Sequence, residues 1–148
     1  MPTITIRTAP LTIRQRRTVA VRLTRWLANS GVAPSHVAVS FEEIQTGATF
    51  RGGMPVEALA SGQGNPAATA ICRISPDRDD GFRRELAEEI VQALPGGDQT
   101  SFVYIEFQPT SASDVWIATG GKLAPADQLP ATSIVHARHQ VIGEIPHE

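Results

Sequence analysis

One cysteine, Cys72, is all that a sequence of 148 residues contains. An internal disulfide is therefore excluded, and the cysteine-dense pattern of small secreted domains is absent. Charge of one sign is missing too: thirteen Lys and Arg stand against fifteen Asp and Glu, a net charge of -2. Proteins that live on nucleic acid or on an anionic membrane carry a basic excess, and this chain has none. No apolar run nears the roughly 20 residues that span a bilayer. The start, Met1-Pro2-Thr3-Ile4-Thr5-Ile6-Arg7, has no basic leader followed by an apolar stretch, so it does not read as a signal peptide. A cytoplasmic protein is expected.

Ready-made cofactor motifs are equally scarce. Gly52-Gly53 lacks the Lys-Ser/Thr that follows in a phosphate-binding loop. His136 and His139 are three apart in a strand-like run, which puts them on opposite faces and removes them as a metal pair. The arginines of the first helical segment have few aromatic companions, so they read as a solvated or interface surface. No cofactor and no metal are expected, and no nucleic acid or membrane partner.

What is present is a globular composition. AVILMFWYC residues make up 41%, and 12 glycines bring the apolar total close to half. A chain of this length buries roughly 68–70% of its unfolded surface, enough for one domain without staples. Thr3 to Thr8 alternates polar and β-branched apolar residues, the pattern of a half-buried strand. Thr12-Ile13-Arg14-Gln15 has the capping-box form, and Val19, Ala20, Leu23, Trp26 and Leu27 follow on one helical stripe. Gly31 suits a left-handed helix end. Val37 to Ile44 reads as a second strand, Ala48 to Arg51 as a short return, and Gly52-Gly53 as a close.

The same order then repeats. Ala68 to Ile74 reads as a buried strand, and Asp79 and Asp80 open a helix whose stripe is Phe82, Leu86, Ile90, Val91 and Leu94. Phe102 to Phe107 is the next strand, Asp114 to Ala118 a short return, and Gly120-Gly121 the close. The expected fold class is α+β: tandem β-α-β units forming a four-stranded sheet with two helices on one face. The first unit spans residues 1–55, a linker 56–67, and the second unit 68–124. A tail, 125–148, carries a strand-like run from 132 to 142 that can extend a sheet; one compact domain results overall. A helix between adjacent strands suits a parallel pair with a right-handed crossover. The uncovered sheet face is expected to be part apolar and so to drive association.

These residues resemble the tautomerase superfamily. The resemblance rests on Pro2 directly after Met1, on the β-α-β unit, and on a short hairpin ending in Gly-Gly. The stretches from Val37 to Ile44 and from Gly47 to Gly53 are similar to a 4-oxalocrotonate tautomerase subunit. The two-unit length resembles the fused tautomerases, cis-3-chloroacrylic acid dehalogenase and malonate semialdehyde decarboxylase. Asp114-Val115-Trp116, with its Gly-Gly, is similar to the decarboxylase type. The likeness spans about residues 2–124 and leaves the tail unmatched.

The resemblance implies a tautomerase/MIF-like fold, a homotrimer, and catalysis by an amino-terminal proline freed when Met1 is removed. An α-amine titrates near 7.7–8.0, and apolar surroundings with nearby cations lower that, so a partly neutral Pro2 can act as general base and then as acid. Arg78 stands where short tautomerases carry a carboxylate-binding arginine, and Arg73 is a second candidate; a guanidinium grips a carboxylate bidentately. His36 lies near the decarboxylase's aspartate, where it could orient water or tune Pro2. Tyr104 aligns with a dehalogenase tyrosine that donates to a substrate oxygen, and Asp114 is placed to activate water. Phe50 and Trp116 are expected to wall the pocket.

Departures from the family pattern are specific. Leu11 and Ala38 stand where short tautomerases have arginines, and Leu27 where the dehalogenase has a histidine. The expected activity is a cofactor-independent tautomerase acting through Pro2 on a small enolisable keto acid. The alternatives are a hydratase, dehalogenase or decarboxylase of the same superfamily, or a non-catalytic trimeric protein of this fold.

Overall fold

The structure is a computed structural model that describes residues 1–59, 67–100 and 102–129. Four strands form the main sheet: β1 (Thr3–Thr8), β2 (Ala38–Glu43), β5 (Ala68–Ile74) and β6 (Val103–Pro109), in the order β2-β1-β5-β6. Helices α1 (Ile13–Asn29) and α2 (Asp80–Ala93) complete two β-α-β units. Within each unit the strands are parallel, β1 with β2 and β5 with β6. Between units the inner strands β1 and β5 are antiparallel. The expected architecture is thus the observed one.

Each helix begins where its sequence says. The Thr12 side chain accepts from the Gln15 backbone N–H at 3.1 Å, and the Gln15 side chain accepts from the Thr12 N–H at 2.9 Å. Asp79 caps α2 by accepting from the Phe82 N–H at 2.8 Å. Val19, Leu23 and Leu27 of α1 and Leu86 and Ile90 of α2 are buried against the sheet. The inward strand positions face them, and the seam alternates sizes: Ile4 opposes Cys72, Ile6 opposes Ala70 and Thr8 opposes Ala68. Large against small across one seam lets two helices lie close on the sheet.

The outward face is open and part apolar as expected, but mostly polar. It carries Thr3, Thr5, Arg7, Ser40, Glu42, Thr69, Arg73, Tyr104, Glu106 and Gln108, with Ile71 and Ala38 its aliphatic members. Arg7 and Glu42, in register, form an ion pair at 3.3 Å. Threonine and serine keep extended backbone without supplying apolar area, so strand propensity says little about which face is greasy.

The expected short returns pair locally and do not join the sheet. β3 (Phe50–Arg51) pairs with β4 (Met54–Pro55), and β7 (Trp116–Thr119) with β8 (Lys122–Pro125). Each hairpin turns on two glycines at positive φ, 56° and 79° for Gly52-Gly53 and 57° and 78° for Gly120-Gly121. Two consecutive positive φ values make the type I′ turn that matches strand twist. Arg51 reaches back over the Phe102 ring at 3.8 Å, tying the first hairpin to the entry of β6. Within the expected linker, Val56–Leu59 forms a 3-10 turn with Val56 buried. Residues 60–66, Ser101 and 130–148 lie outside the described residues, and with them the strand-like run 132–142 and the two tail histidines. No helix among the described residues is long and apolar enough to cross a membrane.

Candidate active site

The corner where β1 begins is also the corner where β5 ends. Thr3 pairs with Arg73, so Pro2 lies beside Ile74 and the loop that follows it. The Pro2 carbonyl accepts from the Ala38 N–H at 3.2 Å, which pins the chain start to the sheet. A cavity of about 320 Å³ opens there. Pro2, His36, Ser75 and Arg78 face it, with Met1, Leu27, Val32, Ala33, Ile74 and Phe82 supplying apolar wall. Its size is at the low end for small-molecule sites, about 300–1,000 Å³, and its make-up, apolar walls with a few convergent polar groups, is usual for one.

Local structure explains each placement. Residues Pro34–His36 form a 3-10 turn, and the His36 N–H donates to the Ala33 carbonyl at 2.9 Å. That turn follows α1 and presents His36 to the corner. The Arg78 N–H donates to the Ser75 carbonyl at 3.3 Å, closing the turn that leads into the α2 cap. The Arg78 guanidinium carbon sits 4.5 Å from the centre of the Phe82 ring, and Phe82 meets Trp26 with ring centres 5.3 Å apart. Among the described residues no carboxylate lies within ion-pair distance of Arg78. The nearby Asp77 carboxyl is held below its ordinary range chiefly by the hydroxyl of Ser75, with a smaller contribution from the charge of Arg78.

The remaining expected site residues are placed elsewhere in the single chain. Arg73 is exposed on the outward sheet face, because it alternates with the inward Cys72 and Ile74. It borders a small depression with Thr5, Arg7 and Glu42. Tyr104, 47% exposed, is on that face too and donates to Glu106 at 3.0 Å. Asp114 is exposed at the end of the 3-10 turn Ala112–Asp114, with its N–H given to the Ser111 carbonyl at 2.9 Å. Phe50 and Trp116 are 58% and 61% exposed on the hairpins and do not line the Pro2 cavity. Hydrophobic aromatics on locally paired hairpins have no sheet to lean on, so they stand out from the chain.

Sequence reasoning did not single out Ser75, Val32, Ala33 or Phe82 for the site. Phe82 had a readable signal: it is four residues after Arg78, at a helix entry, where such pairs meet. The pseudo-symmetric corner is empty of this chemistry. Thr12 and Asp79 are equivalent caps, so Leu11 replaces Arg78; the buried faces match Ile4, Ile6 and Thr8 with Ala70, Cys72 and Ile74, so Ala68 replaces Pro2. A larger, more open groove of about 670 Å³ runs along α1, lined by Arg14, Arg17, Arg22 and Arg25, with Arg22 paired to Glu89 at 2.6 Å. It gathers cations, with Thr18, Asn29 and Glu89 as its other polar members. Among the described residues no three His, Cys, Asp or Glu converge on a metal position.

No protein-family model matches the sequence, and no curated protein matches it. Solved structures do match in shape. The chain is similar to a wild-type fused 4-OT, F6, in an asymmetric trimer, with a TM-score of 0.63 at 14% identity over 86% of this chain and 99% of that one. It is similar to N1, a member of the cis-3-chloroacrylic acid dehalogenase family, with a TM-score of 0.63 at 19% identity over 92% and 98%. Macrophage migration inhibitory factor of Toxoplasma gondii gives 0.58 at 16% identity over 82% and 99%. The fold is α+β of the tautomerase/MIF type. Its likenesses are to tautomerase-superfamily structures over most of the chain, two-unit fused forms among them.

Proposed function

We propose that the protein is a cofactor-independent, tautomerase-like isomerase that uses the Pro2 nitrogen to move a proton on a small enolisable keto acid. The observation that carries this reading is that Pro2 and Arg78, 76 residues apart in sequence, face the same small cavity. In the translated chain the Pro2 nitrogen is an amide bonded to Met1 and has no basic lone pair. Removal of Met1 turns it into a secondary amine. The apolar walls and the unpaired Arg78 cation both disfavour its protonated form, which favours a base near neutral pH. The neutral amine takes the enol hydroxyl proton, and the ammonium so formed returns a proton to the carbon of the former double bond. Arg78 holds the substrate carboxylate, and His36 is positioned to donate to a substrate oxygen. Trimers among the structural neighbours support a homotrimer, and we place the enzyme in the cytoplasm. Hydration, dehalogenation or decarboxylation is the nearest variant of the same site.

A second reading is favoured by Leu11 and Ala38. With those arginines gone, a non-catalytic protein of this fold has one fewer feature to explain. One experiment separates the two. Intact mass establishes whether Met1 is absent, and turnover of phenylenolpyruvate is compared between the parent and Pro2→Ala. Loss of Met1 with at least a hundredfold lower turnover in Pro2→Ala supports the enzyme. Full turnover in a chain that retains Met1, or in Pro2→Ala, rejects it. NMR titration of the Pro2 nitrogen is expected to give a value below the ordinary α-amine range.

A further inference from the structure

We infer that Phe82, backed by Trp26, is a positioning residue that holds the Arg78 guanidinium ready for a substrate bearing a single carboxylate. The inference rests on the reading of the Pro2 cavity as an active site and adds to it how the carboxylate is held and how many there are.

Two devices can fix an arginine at a binding site. A carboxylate partner fixes it but neutralises it and occupies its donors. An aromatic face fixes it through the ring quadrupole and leaves the five N–H groups free in the guanidinium plane. Arg78 has the second device. Its guanidinium carbon is 4.5 Å from the Phe82 ring centre, well inside the roughly 6 Å reach of a cation–π contact. The neighbouring carboxylate does not hold it: Asp77, the residue before Arg78, feels its charge but forms no ion pair with it. A charged arginine with free donors is what a planar carboxylate needs for a bidentate grip.

The platform is itself fixed. The Phe82 N–H is bound to the Asp79 cap at 2.8 Å, and its ring leans at 55° on Trp26, 5.3 Å away. Trp26 belongs to α1 and Phe82 to α2, so both units hold the guanidinium in place. The ring also walls the cavity, next to Leu27 and Ile74. Arg78 is the one guanidinium facing that cavity among the described residues: Leu11 marks the pseudo-equivalent corner, and Arg73 lies on the other sheet face. One grip suits a 2-oxo monocarboxylic acid and its enol, and leaves a second carboxylate unpaired in an apolar pocket, which is costly.

Steady-state kinetics on the processed full-length protein, with phenylenolpyruvate as the monocarboxylate, test this. Phe82→Leu and Phe82→Met are expected to raise KM about 3- to 30-fold, the worth of a partly desolvated cation–π contact, with kcat within about twofold of the parent. Phe82→Tyr keeps a ring and is expected to restore KM. Ile90→Val, a core change that lowers the melting temperature, is expected to leave KM alone, which separates positioning from general loosening. The enol of oxaloacetate, a dicarboxylate, is expected to have a higher KM than phenylenolpyruvate. Unchanged KM in both Phe82 variants, failure of tyrosine to restore it, or a dicarboxylate preference overturns the inference while Arg78→Gln still raises KM. If Arg78→Gln also leaves KM unchanged, the reading of the cavity as a carboxylate site falls first.

Discussion

Thr3 and Arg73 face one another across the antiparallel seam of β1 and β5. That pairing sets the start of the first unit beside the end of the second. Pro2, one residue before Thr3, and Arg78, five after Arg73, thereby reach one cavity, although neither unit alone contains both. A shift of two residues in this register would keep every side chain on its face yet carry the Ser75–Arg78 loop about 6–7 Å away from Pro2.

Arg78→Lys is expected to keep the charge and lose the planar grip. A lysine ammonium is a point donor and does not stack on Phe82 in the same way. Carboxylate affinity should fall about tenfold, with a smaller fall for Arg78→Lys than for Arg78→Gln. Calorimetric titration with a non-reacting monocarboxylate such as benzoate checks this, and equal affinity in all three proteins would discard the grip.

Cys72 is expected to be unreactive in the folded protein. Burial pushes its thiol up to about 12, so the nucleophilic thiolate is absent near neutrality. Because the folded value is raised, the thiol's contribution to stability is full below its ordinary range and is lost as pH climbs towards 12. Iodoacetamide at pH 8 should leave the native chain unmodified and label one site after unfolding in guanidinium. Rapid native labelling would contradict the placement of β5.

Glu106 should make the outward sheet face acid-sensitive. Its carboxyl is held below the usual range first by the hydrogen bond from Gln108, then by that from Tyr104, with a smaller contribution from Arg73. A lowered folded value adds stability above the ordinary carboxylate range, about 4.3, and that stability disappears as pH falls through the lowered value. Glu106→Gln is therefore expected to melt slightly below the parent at pH 7 and together with it near pH 3. A gap that persists at the acid end would reject the assignment.

Thr12→Ala removes the acceptor of the α1 capping box and should cost about 1 kcal/mol. For a chain of this size that lowers the melting temperature by about 2–4 °C. Thr12→Ser should recover most of it. Denaturant unfolding followed by circular dichroism is the measurement, and identical midpoints for alanine and parent would count against the cap.

Leu23→Ala opens a cavity between α1 and the sheet, where Leu23 is fully buried. A loss of about 2–5 kcal/mol is expected in urea unfolding. A loss below about 1 kcal/mol would mean that the α1 stripe is not packed as described.

Several features were legible in the chain because they are settled within a few residues. Thr12 and Gln15 announce a helix start, and Asp79 does so again. Gly52-Gly53 and Gly120-Gly121 announce turns whose φ values only glycine adopts without strain. The stripe of Val19, Leu23 and Leu27 announces a buried helix face. Arg78 and Pro2 stood out as candidates through a resemblance. Their sharing a cavity with His36 and Phe82 was not legible, because three separate elements meet there. Arg73 and Arg78 looked alike in sequence, five residues apart and both near a strand end. Alternation along β5 sends Arg73 to the outward face, and the turn after Ile74 sends Arg78 to the inward side.

The sequence by itself determined the two β-α-β units, their caps and their glycine turns, since each depends on neighbours three or four residues away. The tertiary structure alone decided how the units meet and hence which side chains gather at one corner. Helix stripes and strand faces fix only what must be buried. Joining the two units antiparallel through β1 and β5 is what buries both stripes at once, and the site follows from that one packing solution.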